Sequence, residues 1–350
     1  MGSGVAAWKL LTIRGRVGDA PTRVTFACIM DPMRFLSVVA PLLVVTGALI
    51  ACSSARPSSG FENDNASGSG GFGSSGTSGA LGSSGASGAS GASGGSGNQK
   101  GCSEAAKLVY VVSDSNELYS FRPDTTTFTR IGTLSCPSGG ATPNSMAVDR
   151  SGTAWVNFSD GGLFKVSTSD ASCQATGFEK LQSGFERFGM AFATNSATSQ
   201  DETLYVVGIE GLNGGKGLAK IDLATMKLTT IGDFSGSLRG QGAELTGTGD
   251  GRLFGFFTTQ PNATLALINK ATGATSSNED LNGVNTGQAW AFSFWGGDFW
   301  FYTSPGAVPS TVTRQQASGD NSITIAKEDV GGFRIVGAGV STCAPTAPPR

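Results

Sequence analysis

Between residues 107 and 343, one pattern of short alternating strands is repeated five times, roughly every 50 residues. One apolar strand recurs in every unit, at 144–149, 188–193, 242–247, 289–294 and 334–340. In the first four units a turn and an aromatic strand follow, at 154–158, 204–207, 253–257 and 299–302. A small sheet cannot bury both of its faces alone, so such repeats pack side by side around an axis. The sequence therefore predicts an all-β chain, a β-propeller of five four-stranded blades.

The order of the strands predicts how the ring closes. Hairpin-type turns at 149–152, 249–251 and 296–298 join the innermost strand of a blade to the second strand. The repeats begin with a second-position strand near Lys107 and end with an innermost strand near Val340. We therefore expect the last strand to complete the first blade, which removes a free sheet edge.

Four cysteines lie in the repeat region, and an exported domain would oxidise them. Four cysteines allow three pairings. Cys102 and Cys343 bracket the repeats and would tie the one hairpin without a covalent loop, so we favour that pair. Cys136 and Cys173 then pair by default. Metal binding is the competing interpretation, but no CxxC spacing supports it.

The beginning of the chain is typical of an export signal. Arg34 precedes an apolar run of 16 residues at 35–50, about the length of a signal core and short for a membrane-spanning helix. The segment 49–52, Leu-Ile-Ala-Cys, resembles the bacterial lipobox, which implies cleavage before Cys52 and lipidation of that residue. We therefore expect an over-extended gene start at 1–29 and a lipoprotein signal peptide at 30–51. The alternative is an internal helix with a chance cysteine.

The segment 52–101 begins with the lipidated cysteine and is otherwise almost entirely Gly, Ser and Ala. It contains too little apolar surface to offset the entropy lost on folding. As a random coil the 49 residues from 53 to 101 would span about 35–40 Å root-mean-square. Glycine falls on every third position from Gly70 to Gly97, the register of a collagen triple helix, but the run contains no proline. A flexible tether is favoured, and a trimeric stalk is the alternative.

Composition excludes several classes of function. The chain contains no histidine, so His-based triads, imidazole bases and His-ligated zinc are excluded. The net charge is −2 and basic residues do not cluster in the repeats, which argues against nucleic-acid binding. No cofactor is predicted. The segments 114–117 and 159–162 are faintly similar to calcium loops, but they lack EF-hand spacing and are predicted to be turns.

Two resemblances support the propeller prediction. The turns Asp149-x-x-Gly152-x-x-Trp155 and Asp250-Gly-x-x-Phe254 resemble those of lactonase-type and NHL-type propellers. The sequence segments 244–257, 290–300 and 333–345 resemble those of an uncharacterised group of exported propeller lipoproteins of myxobacterial type. The second resemblance implies no functional residue.

Propellers bind ligands at the mouth of the central channel, where loops lead into the innermost strands. Polar residues precede those strands in every repeat, which predicts a polar, Arg-rich ring for an anionic or sugar-like ligand. The alternative is that these loops are polar because they meet water. The candidates are Asn144, Arg187, Arg239, Gln241, Glu244, Gln288 and Arg334.

Glu244 falls inside an innermost strand, where a carboxylate needs a partner or a raised pKa. A structural ion pair with Arg239 or Arg334 is the favoured explanation, and a catalytic role is the alternative. A hydrolase of the carboxylate-pair glycosidase or lactonase type would use Glu244 with Glu186 at the rim. No second acid lies on another innermost strand, so the chain is predicted not to be an enzyme.

The aromatic run 290–302 is predicted to fill the space between blades, with a sugar-stacking platform as the alternative. The predicted domain plan places the propeller at 102–345 and a short tail at 346–350. We expect a monomeric, lipid-anchored protein of the cell envelope that binds an envelope protein or glycan. Ser53 after the lipidated cysteine resembles the outer-membrane sorting signal of enteric lipoproteins. Alternatives are the hydrolase and a structural surface protein trimerised by the glycine-periodic stalk.

Overall fold

The computed structural model describes residues 12–17, 20–25, 102–210 and 214–349. Two strands, β1 (Thr12–Val17) and β2 (Ala20–Thr25), form an antiparallel pair. They belong to a separate compact unit from the rest of the described chain. The predicted signal peptide, the Cys52 lipidation site and the tether lie outside the described residues. Among the described residues, no helical segment has the length and apolarity needed to cross a membrane.

Residues 102–349 form five antiparallel sheets of four strands each, which confirms the predicted five-bladed β-propeller. Blade 1 contains β3 (Val109–Ser113), β4 (Glu117–Arg122) and β5 (Thr127–Thr133), and blade 2 contains β6 (Pro143–Val148), β7 (Thr153–Phe158), β8 (Leu163–Ser167) and β9 (Cys173–Ala175). Blade 3 contains β10 (Arg187–Thr194), β11 (Glu202–Glu210), β12 (Gly214–Asp222) and β13 (Lys227–Gly232).

Blade 4 contains β14 (Ala243–Gly247), β15 (Leu253–Phe257), β16 (Ala263–Ile268) and β17 (Thr275–Leu281), and blade 5 contains β18 (Ala289–Trp295), β19 (Asp298–Ser304), β20 (Thr311–Gln315) and β21 (Ile323–Lys327). Blade 1 is completed by β22 (Ile335–Val340), its innermost strand. Three short 3₁₀ turns interrupt the strands, at Ala105–Lys107, Gln182–Gly184 and Gly236–Leu238.

The ring closes as the strand order predicts. Val340 of β22 pairs with Val109 of β3, and the four innermost strands that follow contact one another in turn around the axis. A disulfide joins Cys102, before β3, to Cys343, after β22. The structure also contains the Cys136–Cys173 disulfide, which ties the loop after blade 1 to the outermost strand of blade 2. Both are the pairings favoured from the sequence.

The turn motif at 149–155 shows why these sequences fold as hairpins. The Asp149 carboxylate accepts hydrogen bonds from the backbone N–H groups of Ser151 (2.9 Å) and Thr153 (3.0 Å) and from Trp155 Nε1 (3.0 Å). Gly152 supplies the positive φ of 86° that the turn requires. One side chain therefore fixes both the turn and the first aromatic residue of the next strand.

The core lies between neighbouring blades. Rings of the aromatic run 290–302 pack against both neighbouring blades, for example Phe301 against Phe256 of blade 4 at 4.9 Å between centroids and Tyr302 against blade 1. Phe301 and Tyr302 are fully buried, whereas Trp290 is half-buried. Most of the run is therefore core, as predicted, rather than an exposed platform for sugars.

The innermost strands approach one another closely. A Cβ placed on Gly189 in β10 would lie 2.0 Å from the carbonyl oxygen of Ala243 at the start of β14. Any side chain there would push two blades apart. The narrow axis brings residues of non-adjacent blades into contact.

Candidate functional site

One cavity of about 310 Å³ lies at the mouth of the channel, where the chain enters the innermost strands. Each blade contributes one of the residues that the sequence singled out for this ring. They are Arg334 before β22, Asn144 in β6, Arg187 in β10, Glu244 in β14 and Gln288 before β18. The structure therefore brings five of the seven candidates together.

The other two candidates do not line this cavity. Arg239 is exposed, and Gln241 forms an isolated bridge with Gly214 at the beginning of β12. That bridge holds the loop before β14 against its neighbouring blade. Glu186 also lies outside the central cavity, and it lines an adjoining cavity of about 200 Å³ together with Arg187.

Glu244 is the most deeply placed polar group at the mouth, with only 2% of its surface exposed. Its carboxyl Oε2 accepts a hydrogen bond of 2.7 Å from the hydroxyl of Ser145, which lies on blade 2, across blade 3 from Glu244. Burial raises the pKa of Glu244 well above its usual value, and the Ser145 hydrogen bond opposes that effect only partly. Burial therefore favours the neutral carboxylic acid over the carboxylate at this position.

The ion pair expected for Glu244 does not form. Arg334 instead pairs with Asp114, 2.8 Å from guanidinium to carboxylate, and donates to the carbonyl oxygen of Gly306 at 3.0 Å. Arg239 is exposed outside the cavity. Arg334 lies level with Asp114 because β22 pairs with β3, and the backbone N–H of Asp114 donates to Arg334 O at 3.0 Å.

Among the described residues, Arg187 differs from Arg334 in having no partner. Its guanidinium makes no hydrogen bond or ion pair within residues 102–210 and 214–349, although it is partly buried in the cavity wall. The Asp114–Arg334 pair is neutral as a unit, and burial disfavours the charged form of Glu244. The charge of Arg187 is therefore uncompensated within this cavity.

A second network holds the wall next to Arg187. The amide of Asn144 donates to Asn157 Oδ1 at 3.1 Å and to the carbonyl oxygen of Phe188 at 3.3 Å. Asn157 Oδ1 also accepts the backbone N–H of Phe188 at 3.1 Å, and Asn157 is fully buried. This bridge between blades 2 and 3 fixes the backbone that carries Arg187.

Sequence reasoning missed three contributors to the mouth. Asp114 belongs to a segment predicted only as a turn, and it reaches the cavity through the pairing of β22 with β3. Asn157 stands alone as a polar residue within the apolar strand β7, a signal that could have found it. Trp290 lines the cavity, and its Nε1 is buried without a hydrogen-bond partner among the described residues. Such a donor costs free energy unless an acceptor reaches it.

The described residues contain no group of three or more Cys, Asp or Glu side chains arranged to hold a metal ion. Among the described residues, the mouth offers the guanidinium of Arg187, amide groups, an indole and two carboxyl groups, one in an ion pair and one buried. Such a set binds and orients polar ligands.

No protein-family model matches the sequence, and no curated protein matches it significantly. Solved structures with a similar arrangement include the Dos1 propeller, 11% identical, with 65% of this chain and 57% of that chain covered at a TM-score of 0.37. Others are a calcium-binding protein, regucalcin, from Agrobacterium tumefaciens (15% identical, 68% and 75% covered, TM-score 0.38) and a gluconolactonase from Xanthomonas campestris (13% identical, 62% and 70% covered, TM-score 0.38). This chain thus spans little more than half of the Dos1 structure. The likeness concerns the propeller fold alone.

Proposed function

We propose that this protein is an envelope-anchored binding module whose channel mouth recognises an anionic group on a protein or glycan. The observation that carries the proposal is the guanidinium of Arg187, which has no partner within residues 102–210 and 214–349, in a cavity whose other charges are paired or disfavoured by burial. A guanidinium presents paired donors that match a carboxylate or phosphate, and partial burial reduces the screening of its charge.

The anchoring part of the proposal rests on the apolar run, the Leu-Ile-Ala-Cys52 segment and the Gly/Ser-rich tether. The position of Cys102 supports it. Cys343, its disulfide partner, contacts the carbonyl oxygen of Arg150, which lies in the turn after β6. Asn144 of the mouth lies at the other end of that strand. A tether that enters at Cys102 leaves the mouth on the opposite face, open to a ligand.

Arg187→Ala is expected to weaken the binding of acidic ligands by at least about tenfold, because a charged hydrogen-bond pair is lost from a partly buried site. The probes are a galacturonic acid trisaccharide with its neutral galactose counterpart, and short peptides with a free or an amidated carboxyl terminus. Calorimetry or fluorescence anisotropy measures each affinity, which should also fall with added salt.

Arg239→Ala is the matched control, since Arg239 is an exposed arginine outside the cavity. It should bind the acidic probes as the unaltered protein does. Equal binding by the Arg187→Ala variant, or no preference of the unaltered protein for the acidic member of each pair, would contradict the proposal.

A hydrolase is the second candidate, and one observation favours it. Asp114 lines the same cavity as Glu244, so an ion-paired carboxylate and a buried carboxyl group with a raised pKa face one space. Carboxylate-pair glycosidases use two carboxyl groups in such different environments. The ion pair with Arg334 already occupies the Asp114 carboxylate, which favours binding over catalysis.

The hydrolase candidate predicts turnover that both carboxyl groups support. A panel of nitrophenyl glycosides and small lactones would be tested with the unaltered protein, Glu244→Gln and Asp114→Asn. Hydrolysis that each variant loses by at least about a hundredfold would establish the enzyme. Turnover that neither variant changes would arise elsewhere, and its complete absence would leave the binding module.

A further inference from the structure

The mouth cavity continues on both sides into neighbouring cavities. It shares Arg187 and Ile209 with the cavity of about 200 Å³ formed by blade 3 and the loop that leads into it, which we call the left cavity. It shares Asp114 and Arg334 with a cavity of about 400 Å³ bordered by blades 1 and 5, which we call the right cavity. A ligand confined to the centre would leave both side cavities unused.

The right cavity presents a fixed apolar side chain. Val308 is 50% exposed there, beside Pro309 and Phe333. The buried hydroxyl of Ser304 lies 2.7 Å from the carbonyl oxygens of both Gly306 and Val308 and can donate its one proton to either. Arg334 donates to Gly306 O at 3.0 Å. These bonds hold the backbone of the loop that carries Val308 at the rim.

The aromatic rings of the right cavity are poorly placed for sugar stacking. Tyr119 and Phe333 stack on each other with centroids 4.1 Å apart, and Phe128 packs edge-on against Phe333 at 5.6 Å. Tyr119 is nearly buried. Apolar contact at this end is therefore offered chiefly by an aliphatic side chain.

The charges around the mouth argue against a long acidic glycan. The lining of the right cavity includes Arg334, and that of the left cavity includes Lys216 besides Arg187. Arg334 already pairs with Asp114 at 2.8 Å, and Lys216 pairs with Glu210 at 2.7 Å. A polymer with a carboxylate on every unit would therefore find no unpaired cation in this lining beyond Arg187. A chain with one acidic group, flanked by neutral or apolar groups, matches that single cation.

We propose, building on the function proposed above, that the ligand is an extended peptide segment of a partner protein, which lays one acidic side chain or a carboxyl terminus against Arg187 and an aliphatic side chain against Val308. The peptide backbone then crosses the Asp114–Arg334 pair, and the chain continues over the left or the right cavity. Specificity comes from the distance between the acidic and the aliphatic group.

The test uses the full-length protein and labelled dodecapeptides of Gly and Ser that carry one Glu, one Leu, or both at varied spacing. A galacturonic acid trisaccharide serves as the glycan probe. Fluorescence anisotropy gives the affinities. At the best spacing, the peptide with both residues is expected to bind at least about fivefold more tightly than the peptide with Glu alone.

Val308→Ser removes the aliphatic group without adding a charge, so the peptide with both residues should then bind no more tightly than the Glu-only peptide. Ile325→Ser is the matched control, because Ile325 is an aliphatic residue, 60% exposed, on the outermost strand of the same blade. It should change neither affinity. Circular dichroism would establish that both variants are folded.

The outcomes separate this inference from the proposed function. If Arg187→Ala weakens binding but Leu adds nothing at any spacing, the anion site stands and the extended peptide is overturned. Tighter binding of the trisaccharide than of any peptide overturns the peptide in favour of a glycan. If Arg187→Ala changes nothing, the proposed function fails as well. Failure of every peptide to bind overturns the inference.

Discussion

Replacing Cys102 and Cys343 together by serine is expected to lower the free energy of unfolding by about 5 kcal/mol, the loss that the chain-entropy model gives for so long a loop. The two residues are 241 positions apart in sequence. The disulfide also stands in for the hairpin that blade 1 lacks, because β22 and β3 come from opposite ends of the repeats. Without it, the pairing of β22 with β3 and the packing of blade 1 against its neighbours keep the ring closed.

Urea denaturation of the oxidised protein measures this effect. The matched control replaces Cys136 and Cys173 by serine, which opens a loop of 37 positions and leaves the ring closure intact. The same model makes that loss about 1.5 kcal/mol smaller. A ring-closure variant that is as stable as the control variant, or more so, would show that strand pairing alone closes the propeller.

The closure could be predicted because hairpin turns in the sequence mark where the strands begin and end. Asp149 and Gly152 set a hairpin within seven residues, so the turn and the strands on either side are local properties of the sequence. The observed strands agree with the predicted ones to within a few residues. The first strand begins at Val109, after a 3₁₀ turn that includes Lys107.

The sequence predicted those site residues whose place in the ring depends only on their position along a blade. Asn144, Arg187, Gln288 and Arg334 each stand at or next to the start of an innermost strand, and the ring follows from that register. Position along a blade does not predict which residues of the ring form hydrogen bonds with each other. Asp114 meets Arg334 across 220 residues, and Ser145 meets Glu244 across the axis between two blades that are not neighbours.

The predicted ion pair of Glu244 shows the reason. A sequence can indicate that a carboxyl group will be buried, but the choice between pairing and protonation depends on which groups the closed ring brings within hydrogen-bond distance. Here the backbone pairing of β22 with β3 takes Arg334 to Asp114. Glu244 is left facing a serine hydroxyl, which cannot compensate a buried negative charge.

The raised pKa of Glu244 predicts that the folded protein loses stability as the pH rises. A carboxyl group whose pKa is higher in the folded than in the unfolded chain carries an extra proton in the folded state. Its contribution is complete below the unfolded pKa and decreases above it, by about 1.4 kcal/mol for each pH unit until the folded pKa is reached. Glu244→Gln keeps an acceptor for Ser145 and cannot ionise, so it should remove this slope and stabilise the protein at neutral pH.

Urea denaturation between about pH 5.5 and pH 8 gives the slope, above the range in which the surface aspartates titrate. A second carboxyl group contributes in the same direction: burial raises the pKa of Glu202 to about 7, against hydrogen bonds from the backbone N–H of Arg150 and the hydroxyl of Thr342, each 2.8 Å long. Glu202→Gln is therefore the matched control, and it should remove only the part of the slope that ends near pH 7.

If Glu244→Gln keeps the full slope of the unaltered protein, Glu244 is ionised in the folded state and the mouth carries no net positive charge. That result would remove the electrostatic basis for anion binding at Arg187, so one pH series tests both the buried acid and the proposed site.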